Sequence, residues 1–201
     1  RWSQPALAER AVPARHGLTR STPHSHIGRM AKLRLVVGPV GAGKSTFALR
    51  LCREHKAVRM NLDEWMAQLF SPDRPEDGAL AWYLERSERC LAQIWTIATR
   101  ILDAGGDVVL EVGLIQESDR RRFYARVEDE GIPLTVYVLD APRRLRRERV
   151  KRRNLEQGET YSMVVPPSVF EHASDRWEPP DDAECEGRDI RFVTGASEQG
   201  E

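Results

Sequence analysis

The sequence predicts an α/β domain: a five-stranded, mainly parallel sheet flanked by helices. Short apolar runs of strand length alternate with helix-length stretches, the pattern of parallel strands joined by right-handed crossovers. With 201 residues, the chain suits one domain with a sizeable core, or one domain with tails. Its composition, 40% hydrophobic and 31% charged, is that of a globular protein rather than a disordered or collagen-like one.

The elements follow in order. Residues 1–30 show no helical or strand period, carry three prolines, and mix Ser, Thr, His and five arginines with Glu9 alone. They lack the apolar centre of a secretory signal and faintly resemble a transit peptide. They read as an N-terminal extension, disordered or of upstream origin, with Met30 as a natural start. The expected domain is 31–195, with 196–201 as a tail. Leu33–Val37 is an apolar run ending in glycine, which reads as a buried strand. Lys44–His55 is helix-compatible, 57–62 reads as a second strand, and 64–70 as a short helix closed by Ser71-Pro72. Over 78–104, Leu80, Leu84, Leu91, Ile94, Ala98 and Ile101 fall near one helical face, with Glu85 and Arg89 able to pair on the other. Gly105-Gly106 ends that helix. A third strand is expected at 107–112, a charged helix at 116–130, a fourth strand at 134–139, a basic helix opened by Pro142, and a fifth strand at 189–193.

No apolar run approaches the roughly 18–20 residues of a spanning helix, so no membrane partner is expected. Cys52, Cys90 and Cys185 are sparse, odd in number and without metal-ligand spacing, which points to a reducing, cytoplasmic setting. The 31 basic and 31 acidic residues cancel, but unevenly. Eight basic residues against Glu148 lie between Arg143 and Arg153, and nine acids face three arginines from Asp175 onward. Overall neutrality disfavours broad nucleic-acid binding.

Parallel sheets bind ligands beyond the carboxyl ends of their strands. There, Gly38-Pro39-Val40-Gly41-Ala42-Gly43-Lys44-Ser45 matches the pattern G-x-x-x-x-G-K-[ST], with a strand before it and a helix after it. Chance would supply that pattern in roughly one chain in a hundred of this length, before the flanking elements are required. Such a loop aims successive backbone N–H groups at phosphate oxygens and adds the positive end of the following helix. Lys44 is expected to reach the β and γ phosphates, Ser45 to ligate Mg²⁺, and Thr46 to make a contact near the α phosphate.

Asp63 follows the second strand, where a carboxylate can accept the proton of a hydroxyl under phosphorylation or, more plainly, cap the next helix. Glu111 ends the third strand, where an acid can bind Mg²⁺ through water or position the acceptor; a buried structural carboxylate is the alternative. Asp140 is expected to cap the helix entered at Pro142. Trp65, Trp82, Tyr83 and Trp95 read first as core aromatics, with an acceptor pocket as the alternative. No histidine metal triad is present.

The segments GPVGAGKST, NLDEW, VVLEVGL, RRNLEQG and VVPPSVFEHASDRWEPP, spread over 32–180, resemble the P-loop kinases related to polynucleotide 5′-kinase, zeta-type toxins and small-antibiotic phosphotransferases, in a poorly specified bacterial, AAA-type ATP-binding branch. The resemblance implies a P-loop nucleoside triphosphate hydrolase fold of nucleoside-monophosphate-kinase type, with an arginine-rich helical lid at about 143–176. It implies ATP and Mg²⁺ as cofactors, Asp63 as the base that activates an acceptor hydroxyl, and Glu111 on the substrate and metal side. Arg153 corresponds to a lid arginine on the transferring phosphates. Two positions depart from the polynucleotide kinases: Met66 and Gln157 stand where they carry arginines.

Arg146, Arg149 and Arg153 are three and four residues apart and share one helix face, which a lid could close over the β and γ phosphates. The alternatives are a solvated, salt-bridged helix and a nucleic-acid patch. The expected activity is γ-phosphoryl transfer from ATP to a hydroxyl-bearing small molecule. A polynucleotide 5′-hydroxyl kinase is the first alternative, and a regulatory ATPase without a transferred acceptor the second.

Overall fold

The computed structural model describes residues 30–194, the side chains of Leu80 and Thr194 excepted; the expected extension apart from Met30, the expected tail and the last position of the expected domain, 195, lie outside these residues. Chain order is β1 (Leu33–Val37), α1 (Lys44–His55), β2 (Val58–Asn61), α2 (Leu62–Leu69), a 3₁₀ turn (Ser71–Asp73), α3 (Ala79–Asp103), β3 (Val108–Glu111), α4 (Glu117–Asp129), β4 (Leu134–Asp140), α5 (Arg143–Glu156), α6 (Pro167–Asp175), α7 (Asp182–Cys185) and β5 (Ile190–Thr194). The strands form one sheet ordered β2-β3-β1-β4-β5, and every pairing is parallel.

β1 lies at the centre and all five of its residues are buried. Its alternation divides the core: Leu33, Leu35 and Val37 face one layer with Ile94, Ala98, Tyr124 and Val136, while Val36 faces α1 through Ala48 and Leu51. α3 covers the first layer with Cys90, Ile94, Trp95 and Ala98, and Leu91 and Ile101 pack at its margin; Leu84 of the expected stripe is exposed, and the side chain of Leu80 is not described. Trp95 is buried, and Trp65, Trp82 and Tyr83 pack against the same core, as expected of core aromatics. Among the described residues, no helix is long and apolar enough to cross a membrane.

Three local expectations need correction. Asp63 does not cap α2; Asn61 does, its Oδ1 accepting the Glu64 N–H at 3.1 Å, so the helix starts two residues earlier than expected and Asp63 lies in its first turn. Asp140 does not cap α5, which has no side-chain cap; its carboxylate instead accepts the Ala141 N–H at 2.7 Å and the Trp177 indole N–H at 3.3 Å. Helix α6 falls inside the expected helical lid and opens on Pro167, whereas the short α7 lies where no element was expected.

Candidate active site

The phosphate-loop residues Gly38, Pro39, Val40, Gly41, Ala42 and Gly43 connect β1 to α1 beneath the end of β4 and the start of α5. Two positions require glycine. Gly38 has φ +148°, and a Cβ there would stand 2.2 Å from the Leu139 carbonyl oxygen; Gly41 has φ +80° and would meet the Arg146 carbonyl oxygen at 2.6 Å. A turn closes the loop, the Ala42 N–H donating to the Pro39 carbonyl at 3.2 Å. α1 begins at Lys44 with no side-chain cap and no acid in its first turn, so its positive end is left for an anion. Thr46, in that turn, is exposed.

Lys44 folds over the loop and donates to the Pro39 carbonyl at 3.0 Å. Burial holds its pKa below the usual lysine value, and Arg153 and Arg146 push the same way while Glu111 and Asp63 oppose. Asp63 is exposed, with Lys44, Glu111 and Arg153 close enough to act on its charge. Desolvation raises its carboxyl above the usual range, with Glu111 adding and Lys44 and Arg153 opposing. A carboxylate so placed has increased proton affinity, which suits a base. The Tyr83 phenol, near Asp63, is pushed up to about 12, chiefly by burial.

The parallel register sets Asn61 opposite Glu111 at the carboxyl edge of the sheet. Glu111 is buried and fully engaged: Oε1 accepts the Ser45 hydroxyl at 2.7 Å, and Oε2 accepts Asn61 Nδ2 at 2.9 Å and Arg59 at 2.8 Å (Nη2) and 3.3 Å (Nε). Arg59 also pairs with Glu64. Ser45 and Glu111 thus set two hard oxygen donors side by side. The donor set fits Mg²⁺, which is held by one or two protein oxygens together with phosphate and water. Among the described residues, no group of three or more His, Cys, Asp or Glu forms a self-sufficient metal cage.

The three arginines do not form one open face. Arg146 is buried and donates to the carbonyls of Ala141 (2.9 Å) and Val40 (3.1 Å) and to the Ser174 hydroxyl (3.0 Å), tying phosphate loop, α5 and α6 together. Arg149 and Arg153 are half-buried. Arg153 bears electrostatically on both Lys44 and Asp63, and its buried Nε has no hydrogen-bond partner among the described residues. Arg143 and Arg147 pair with Glu171 of α6. α5 and α6 are therefore one charged, laced unit. Met66 is 1% exposed and part of the core, and Gln157 ends α5 with φ +47°.

Arg59 and Asn61 are the site residues that sequence reasoning missed. The available signal was an arginine two positions before the strand end, on the same strand face as Asn61. A cavity of about 350 Å³ lies at the opposite end of the sheet, lined by Lys32, Arg34, Arg50, His55 and Tyr137. None of its lining residues belongs to the phosphate loop.

The AAA domain family model AAA_33 matches residues 33–180, and the chain belongs to that family of P-loop, kinase-like proteins. No curated protein matches it. Solved structures share the fold. A candidate kinase from Chloroflexus aurantiacus superposes with TM-score 0.63 at 18% identity, over 82% of this chain and 85% of that one. Chaetomium thermophilum Kti12 in complex with ADP-AlF3 gives 0.59 at 17% identity, over 81% and 88%. The Mycobacterium tuberculosis APS kinase CysC, in complex with AMPPNP and APS, gives 0.52 at 18% identity, over 82% and 88%.

Proposed function

We propose that the protein is an ATP- and Mg²⁺-dependent kinase that transfers the γ-phosphoryl group to a hydroxyl of a small molecule. The observation that carries this reading is the convergence of Lys44, the Ser45–Glu111 pair, Asp63 and Arg153, whose Nε has no partner among the described residues, on one end of the sheet. The neighbours' nucleotide complexes and the kinase named among them favour the same reading.

The loop amides, with Lys44, hold the phosphates. Ser45 and Glu111 would hold Mg²⁺, which when bound would neutralise phosphate charge. The acceptor hydroxyl gives its proton to Asp63 as its oxygen forms the new bond to the γ phosphorus; the bond from that phosphorus to the β–γ bridging oxygen breaks, and ADP leaves. Arg153, with Arg149 one turn away, donates to the transferring group, whose charge is spread over its equatorial oxygens. Arg146 acts one step back, by holding the loop. A small acceptor is favoured over a polynucleotide end because Met66 is turned into the core and offers no contact for a terminal phosphate.

A panel of hydroxyl compounds and 5′-hydroxyl oligonucleotides incubated with γ-labelled ATP tests the reading, with products read by mass spectrometry. A phosphorylated small alcohol is expected. Labelled oligonucleotides would move the assignment to a polynucleotide kinase, and steady hydrolysis without any phosphorylated product would move it to a regulatory ATPase. With the acceptor in hand, Asp63→Ala is expected to lower transfer roughly 10²–10⁴-fold with ATP affinity kept within a few fold. Undiminished transfer would remove Asp63 as the base.

A further inference from the structure

Arg59 is an unexpected residue for a strand. β2 is four residues long, and on the face it shares with Asn61 it carries a cation whose side chain is only 11% exposed. A buried guanidinium is costly unless its N–H groups are taken up by acceptors of matching geometry. Here they are taken up by two carboxylates from different parts of the fold. Nε and Nη2 converge on Glu111 Oε2, at the end of β3, while Nη1 reaches Glu64 in the first turn of α2.

The consequence falls on the two groups that matter for phosphoryl transfer. Glu111 Oε2 is pinned by three donors, two from Arg59 and one from Asn61, so the carboxylate has one orientation, in which Oε1 meets the Ser45 hydroxyl. Glu64 is the sequence neighbour of Asp63, and its backbone N–H is itself tied to Asn61. Through Glu64, the same guanidinium fixes the first turn of α2 relative to the sheet edge. We infer that Arg59 is a positioning residue that fixes the orientation of Glu111 within the Ser45–Glu111 metal pair. Its hydrogen bonds go to Glu111 and Glu64. The inference rests on the reading of Ser45 and Glu111 as the metal side of a kinase site.

Lysine separates geometry from charge at this position: it keeps the cation but cannot span two carboxylates with a planar fork. The test is the ratio of ADP dissociation constants without and with Mg²⁺, the former in EDTA, measured by calorimetry on the full chain. In the parent protein Mg²⁺ is expected to tighten ADP binding. Arg59→Lys is expected to cut the ratio at least fivefold, with the EDTA value kept within twofold. Glu64→Gln, which leaves the Arg59 bonds to Glu111 in place, is expected to keep the ratio within twofold. An unchanged ratio in Arg59→Lys would overturn the positioning role and leave Arg59 as structural glue. An equal collapse in Glu64→Gln would also overturn it, because loosening of the sheet edge as a whole would then be the cause. If Mg²⁺ has no effect on ADP binding in the parent protein, the Ser45–Glu111 assignment itself fails and the positioning role falls with it. Thermal melting of each variant identifies loss of fold, and Arg59→Lys, which retains the buried charge, remains readable where Arg59→Met would not fold.

Discussion

Two buried ionic clusters in this molecule differ in one respect. Between α4 and α7, Arg120 and Glu184 form a fork at 2.6 and 2.8 Å, both wholly buried; Tyr124 donates to the same carboxylate at 2.9 Å, and Arg120 reaches the Ile115 carbonyl at 3.2 Å. Burial, followed by Glu184, pushes the Tyr124 phenol well above its ordinary pKa. All these partners are protein. At the carboxyl edge of the sheet, Glu111 is equally well bonded, but the cluster around it adjoins Lys44, Asp63 and Arg153, and the buried Arg153 Nε has no partner among the described residues. A cluster that serves the fold closes on itself, and one that serves a ligand keeps donor capacity on the side where the ligand enters.

Substitutions should separate the two. Glu184→Ala strands Arg120 in the interior and is expected to cost about 3–5 kcal/mol in urea unfolding, with nucleotide affinity of the folded protein unchanged. A loss below about 1 kcal/mol would mean that the closed cluster is not structural. Arg153→Ala is expected to behave oppositely, lowering single-turnover transfer roughly 10²–10³-fold while leaving the unfolding midpoint level or slightly raised. If its main effect were lost stability, the distinction between open and closed clusters would fail. Lys44→Ala is expected to weaken ATP binding roughly ten- to a hundredfold in calorimetry, the worth of hydrogen bonds to a charged group.

The smallest effect concerns pH. The folded-state pKa of Asp63 is raised above its unfolded value, so its contribution to stability is present below the unfolded pKa and lost as pH rises through the folded one. Asp63→Asn is therefore expected to raise the melting temperature at neutral pH, with the gain closing as the pH falls below about 4. Melts across that range check the sign, and a destabilised Asn variant at neutral pH would contradict it.

Sequence alone located β1, α1 and the phosphate loop, because each is set by residues adjacent in the chain: an apolar run, glycines at forced backbone angles, and a lysine and serine at fixed offsets. It also placed Asp63 and Glu111 at strand ends, since strand ends can be read from where apolar runs stop. It misjudged the arginine helix. Eight basic residues in α5 look alike in a sequence, yet Arg146 is buried under the loop, Arg143 and Arg147 are paired to α6, and Arg153 acts electrostatically on Asp63.

What the sequence determined by itself is the class of fold and the presence of a phosphate site, both products of local periodicity and local backbone chemistry. What only the tertiary structure decided is which charges meet: Arg59 with Glu111 across 52 positions, Ser45 with Glu111 across 66, and Arg120 with Glu184 across 64. Those pairings depend on parallel strand order and register, and on how the helices cover the sheet. Such relations join distant segments, and no local pattern of residues encodes them.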